Sequence, residues 1–260
     1  MDWKRVKSIL IALLLVTNLI LGYSVYGQFR SISRTEQAAL EQALALAPEG
    51  SGLGADMLSA LPAEAQSFSV PRDSAMENAF AAVLLGENGF ASENTGGGIV
   101  LFKSDRGSGE IKTGGEMDFA LSWPEGELGA RLPALLREAG LELLDADITA
   151  EADGSVTCAQ RFGGLSLDRY ALTGTLRDGV LSLTGRWLLC AQPEQEGVAP
   201  RKSELVLYLA RWLEGGQQGR VAGLTPGYRV AENLVRPVWL VELESGIAVF
   251  DLLDRRVVVR

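Results

Sequence analysis

The chain has 260 residues, 33 acidic against 24 basic, a formal net charge of −9, two cysteines and no histidine. Without histidine it lacks the commonest general base, the Ser–His and Cys–His nucleophile pairs and the commonest metal ligand. The acidic balance argues against nucleic acid as a partner, two cysteines are too few for a disulfide scaffold or a four-thiolate zinc site, and 47% apolar residues mark a globular chain.

Residues 1–8, MDWKRVKS, form a short tail with Lys4, Arg5 and Lys7 close together. Residues 9–26, ILIALLLVTNLILGYSVY, carry no charge. As a helix they span about 27 Å, close to the roughly 30 Å hydrocarbon core of a bilayer. Trp3 stands at one end and Tyr23 and Tyr26 at the other, where amphipathic rings favour the interface. The three cations ahead of the span predict a cytoplasmic amino terminus and an extracellular domain. The alternative is a cleaved signal peptide, with Val25-Tyr26-Gly27 as a weak cleavage site. Within the span, Thr17, Asn18 and Gly22 are the candidate contacts with a partner helix. The competing reading is a polar pair that bonds its own backbone.

Residues 27–66 read as a juxtamembrane helix and linker. Ser33-Arg34-Thr35-Glu36 fits a capping box, with Glu36 reaching back to Ser33. Good helix formers follow, and Pro48-Glu49-Gly50 ends the run. The helix is either a stalk or a docking helix of the domain.

The extracellular part divides at residue 124 into halves 67–123 and 124–260. In the first, Ser67–Val70 alternates as a strand, and Asp73 caps a helix through SAMENAFAAVLL that Gly86 stops. Strands follow over 97–104 and 110–123. The second half opens with a helix through GELGARLPALLREAG, then strands over 155–162, 168–177 and 179–190. Asp178-Gly179 is the hairpin signal between the last two. A helix over 203–214 precedes strands near 218–224, 227–233, 237–243, 247–251 and 256–259. Helices mixed with antiparallel runs give an α+β class, arranged as two β-α-β-β-like halves.

Little here points to chemistry. Gly96-Gly97-Gly98 leads into a strand, whereas a phosphate cradle leads into a helix. Asp145, Asp147, Glu151 and Asp153 form an acidic stretch without the spacing of an EF-hand loop. No catalytic residue, cofactor or metal ligand is assigned, and the expectation is a protein that is not an enzyme; a hydrolase working through paired carboxylates is the outside alternative. Cys158 and Cys190 each fall in an expected strand. They either form a disulfide in an oxidising exterior or serve as two buried small apolar residues.

The opening Met1-Asp2-Trp3, with Lys4, Lys7 and the Asn18-Leu19 of the span, resembles the amino terminus of the YycI family. The end is similar too: Gly227-Tyr228, then Pro237-Val238-Trp239-Leu240-Val241, then Ile247-Ala248-Val249-Phe250. That closing hairpin is also similar to PepSY-type domains. Asp251-Leu252-Leu253-Asp254-Arg255 stands where the family has an Asn/Asp-Ala-x-x-Gly turn. The resemblance implies a Firmicute membrane-anchored regulator that is not an enzyme. It implies association, through membrane helices, with a YycH-like partner and a sensor histidine kinase of a two-component system controlling cell-wall metabolism. The alternative is a PepSY-like extracellular binding or inhibitory module, merely tethered to the bilayer.

Overall fold

The computed structural model describes residues 3–62, 66–86, 90–123, 146–151, 154–190, 193–215 and 219–259, with Leu128, Arg131, Leu132, Ala134 and Leu135 between. Helices with described bounds are α1 (Trp3–Ala45), α2 (Ala55–Ser59), α3 (Ser74–Leu85) and α4 (Lys202–Glu214). The strands are β1 (Gln66–Ser69), β2 (Ala91–Gly96), β3 (Ile99–Ser104), β4 (Gly107–Ile111), β5 (Glu116–Ser122), β6 (Ala146–Ala150) and β7 (Val156–Phe162). They continue with β8 (Leu165–Arg177), β9 (Val180–Arg186), β10 (Glu194–Val198), β11 (Val221–Ala231), β12 (Leu234–Leu243), β13 (Gly246–Asp251) and β14 (Arg256–Val259). The class is α+β: one large mixed sheet and few helices.

The sheet has 14 strands in the order β10-β1-β12-β11-β8-β9-β5-β4-β3-β2, with β13–β14 branching from β12 and β6–β7 from β8. Every described pair is antiparallel except β8 with β11, which meet at Ser166–Leu167 and Gly227–Tyr228. The long strand β8 therefore joins two regions of sheet, each with its own core.

Local signals place several elements. The Asp73 carboxylate accepts from the Ala75 and Met76 amides at 2.9 and 3.2 Å, and caps α3 as expected. Phe80, Ala81, Leu84 and Leu85 then recur at helical spacing and are buried. Asp178 and Gly179 take φ of 51° and 74°, the left-handed pair of a type I′ turn between β8 and β9. Gly96, Gly97 and Gly98 turn β2 into β3.

The first core packs α3 against β3–β5 and β7–β9, with Phe80, Phe102, Phe119, Leu172 and Trp187 at its centre. The second lies between α4 and β11–β13, around Leu209, Trp239, Val241 and Phe250. A third, smaller cluster sits where β1, β7, β8 and β11 converge: Phe68 and Phe162 lie 5.1 Å apart, and Phe162 and Tyr228 lie 5.3 Å apart. Burial pushes both Tyr170 and Tyr228 above their ordinary pKa of 10.0. The folded state thus holds these protons longer than the unfolded chain. Their contribution to stability is whole below pH 10 and declines as pH rises through the folded values. Absorbance titration of tyrosinate should find two late-ionising rings, and melting temperature should fall in the same alkaline range.

Several expectations change. No helix begins at Ser33. The helix starting at Trp3 runs unbroken to Ala45. Residues 27–34 contain one glycine and no proline, and a single helix glycine costs only about 1 kcal/mol, too little to break it. Among the described residues no helix is long and apolar enough to cross a membrane. The described side chains in the apolar part of α1 run from Leu14 to Tyr23 and are all exposed. The stretch 110–123 is two strands, because Gly114 and Gly115 turn the chain at φ of 88° and 79°. Conversely, 218–233 holds one strand, β11, that passes through Pro226. Its missing N–H is tolerated because β8 pairs with β11 only at Gly227 and Tyr228. β1, placed by the sequence in the first half, pairs with β12 and β10. Strands β2, β6 and β10 are additional. The helix expected after Pro124 lies largely outside the described residues, as do Asp145 and Asp153.

The cysteines are not bridged. Cys158 is a fully buried thiol in the first core, and Cys190 is a buried thiol in the third cluster. Burial pushes the Cys158 thiol up to about 11. At pH 8 an alkylating reagent should therefore leave both unmodified in the native protein and label both after unfolding. Mass spectrometry reads the difference.

Candidate functional site

The feature that ties the long amino-terminal helix to the domain is its junction with α4. Helix α4 buries Leu205, Val206, Leu209, Ala210 and Leu213 on one face. Ala43 joins that core, with Leu40 and Leu44 packed against it. The last turns of α1 are thus part of the domain interior.

The first turn of α4 has an unusual cap. Arg201 occupies its N-cap position and makes no side-chain cap bond. Instead Glu36 of α1 accepts from the Ser203 amide at 2.8 Å. A carboxylate at a helix amino terminus also meets the positive end of the helix dipole. The next cation, Lys202, donates from Nζ to the carbonyls of Leu58 and Leu61 at 3.0 and 2.8 Å, satisfying the end of α2. Burial lowers the Lys202 pKa, and the facing Glu36 raises it in part. Three separate segments are pinned together by two charged side chains. Glu36→Ala removes the side-chain acceptor described at the α4 start, and should cost about 0.5–2 kcal/mol. Hydrogen exchange should rise in Leu40–Ala45 and in the first turn of α4 together.

The solvent side of α4 is held by the chain's closing turn. The Arg255 guanidinium lies 4.9 Å over the Tyr208 ring. It donates to the Tyr208 hydroxyl at 3.0 Å and to Glu204 at 3.2 Å. Asp251 accepts from the Leu253 and Asp254 amides, both at 3.0 Å, and its other oxygen meets Arg236 at 3.3 Å. Arg236 also reaches Asp254. Arg255 adopts φ of 54°. Glycine takes that left-handed conformation without steric cost. Here an arginine bears the backbone strain and in return clamps α4.

The residues singled out from the sequence lie elsewhere. Thr17, Asn18 and Gly22 are exposed on α1. Asn18 and Gly22 are four residues apart and share one face, and a Cβ at Gly22 would meet nothing within 4 Å. Asn18 precedes Glu36 by 18 residues, about 27 Å along a straight helix, so this stripe and the α4 junction are distinct ends of one rod. Glu36 was legible as a capping residue, but for the wrong helix. Nothing local marks Arg255 as its counterpart.

Carboxylate pairs line two open grooves, Glu116 with Asp118 in one and Glu110 with Asp118 in the other. Glu116 and Asp118 line an open groove with Arg169 and Arg186. The hydrogen bond and charge of Arg186 hold Glu116 below the usual carboxylate range. A general acid needs the opposite shift.

No protein-family model matches the chain. No curated protein sequence matches it. Among solved structures, the Bacillus megaterium YpeB C-terminal domain aligns at a TM-score of 0.34 and 7% identity, over 74% of this chain and 98% of that one. A likeness of that degree carries no weight for what this chain does.

Proposed function

We propose that the chain is a membrane-anchored regulatory module that acts by contact and catalyses nothing. In this reading residues 9–26 cross the bilayer once, the basic tail stays in the cytoplasm, and the domain stands outside. The partner class is a sensor histidine kinase of a cell-wall-related two-component system, met through the membrane helix and beside a YycH-like protein. The observation that carries the reading is the continuity of α1: one helix holds the Thr17–Asn18–Gly22 stripe at one end and enters the core of the domain at the other. The terminal motifs shared with the YycI family support the partner class. In this reading the chain's influence passes sideways, through lateral contact of the span. It then shifts the kinase only by packing better against one of its states than the other.

Replacing residues 9–26 with an unrelated apolar span of equal length tests this. Loss of kinase co-purification and of the change in kinase output is expected. Retention of both would overturn the reading and favour a PepSY-like module for which the span is a mere tether. Asn18→Leu alone should weaken co-purification.

A further inference from the structure

A cavity of about 210 Å³ opens between α3, the β3–β4 turn, the end of β5 and the helical segment carrying Arg131. Three properties of its wall agree on an occupant. Among the described residues Arg106 and Arg131 both line it, no carboxylate does, and neither guanidinium has an acidic partner. In a chain of net charge −9 two such arginines on one small cavity stand out. Trp123 also lines it. This indole is only 9% exposed, and its Nε1–H is buried without an acceptor among the described residues. An indole N–H only donates, so whatever meets it must bring a lone pair. Arg131 lies 5.6 Å over the same ring, which holds one charge at the mouth. Finally, Val83, Leu84 and Leu135 give the cavity an apolar side.

We propose that this cavity binds an oxyanion attached to an apolar body. Arg106 and Arg131 take the charged head, a phosphate or carboxylate, for which the planar guanidinium fork is suited. Trp123 donates its Nε1–H to one oxygen of that head, and the aliphatic side takes the body. The head can come from a lipid or from a free small molecule. The site lies in the domain and does not depend on how the membrane helix is used.

The test follows the indole ¹H–¹⁵N resonance of Trp123, assigned by its loss in Trp123→Phe, in the full chain held in phosphatidylcholine nanodiscs. Phenyl phosphate should shift it saturably. Inorganic phosphate should need at least about tenfold more, and phenol, with the same body and no charge, should not shift it at matched ionic strength. Arg106→Gln with Arg131→Gln should weaken phenyl phosphate at least about tenfold while the thermal transition stays in place. If that double variant does not fold, the wild-type contrast between phenyl phosphate and phenol decides alone. Nanodiscs containing phosphatidylglycerol separate the sources. The same shift without added ligand assigns the head to lipid, and its absence, with phenyl phosphate still bound, assigns it to a free ligand. No saturable shift with phenyl phosphate, or equal shifts with phenol, would overturn the proposal.

Discussion

Gln160→Leu should lower the stability of the domain by about 2–4 kcal/mol. Gln160 has 0% exposure, although it sits in the middle of a strand whose neighbours on the same face are Cys158 and Phe162. Its Nε2 donates to the Leu188 carbonyl at 2.9 Å, and its Oε1 accepts from the Leu188 amide at 2.7 Å. The chain leaves β9 at Arg186, so Leu188 has lost its ladder. The glutamine side chain supplies both missing bonds, as a neighbouring strand would. Leucine matches the bulk and strands two buried backbone groups, each worth roughly 1–3 kcal/mol unsatisfied. Gln160→Glu keeps the acceptor and turns the donor into a second acceptor facing a carbonyl. That variant should regain part of its stability as pH falls and the carboxyl takes a proton. Thermal unfolding of both variants across pH reads both effects.

Phe119→Ala should cost about 3–5 kcal/mol. Phe119 is fully buried and stands between Phe80 and Phe102, at centroid distances of 6.0 and 6.3 Å. Across the ladder its partner is Gly109, and a Cβ there would lie 2.1 Å from the Phe119 ring. The glycine is small because the ring covers its backbone. Gly109→Ala should therefore be destabilising alone, yet much less so in the Phe119→Ala background. A double-mutant cycle by denaturant unfolding should show coupling well above the ~0.5 kcal/mol expected of independent sites. Additive costs would place the ring elsewhere.

What was legible in the sequence was local. Asp73 ahead of an apolar helical stripe and Asp178-Gly179 between two strands each carry their own chemistry, and both elements form where that chemistry put them. What was not legible depends on distant partners. Glu36 sits in a pattern that matches a capping box, but the amide it caps is Ser203. Ser69 and Phe68 read as a strand, yet nothing in residues 66–69 names β12 and β10 as the neighbours. Strands β2 and β10 are polar or glycine-bearing and mostly exposed, without the alternation that marks a half-buried strand. The arginine clamp on Tyr208 rests on a non-glycine residue at positive φ, which local preference argues against.

The central claim is that α1 works as one rigid rod from its polar stripe to the α4 junction. Ser31→Pro tests it most directly, because a proline inside a helix removes a backbone hydrogen bond and kinks the chain. The variant should stay in the membrane fraction, keep the domain's thermal transition and retain kinase co-purification, yet lose its effect on kinase output. Unchanged kinase output with that kink in place would contradict the account.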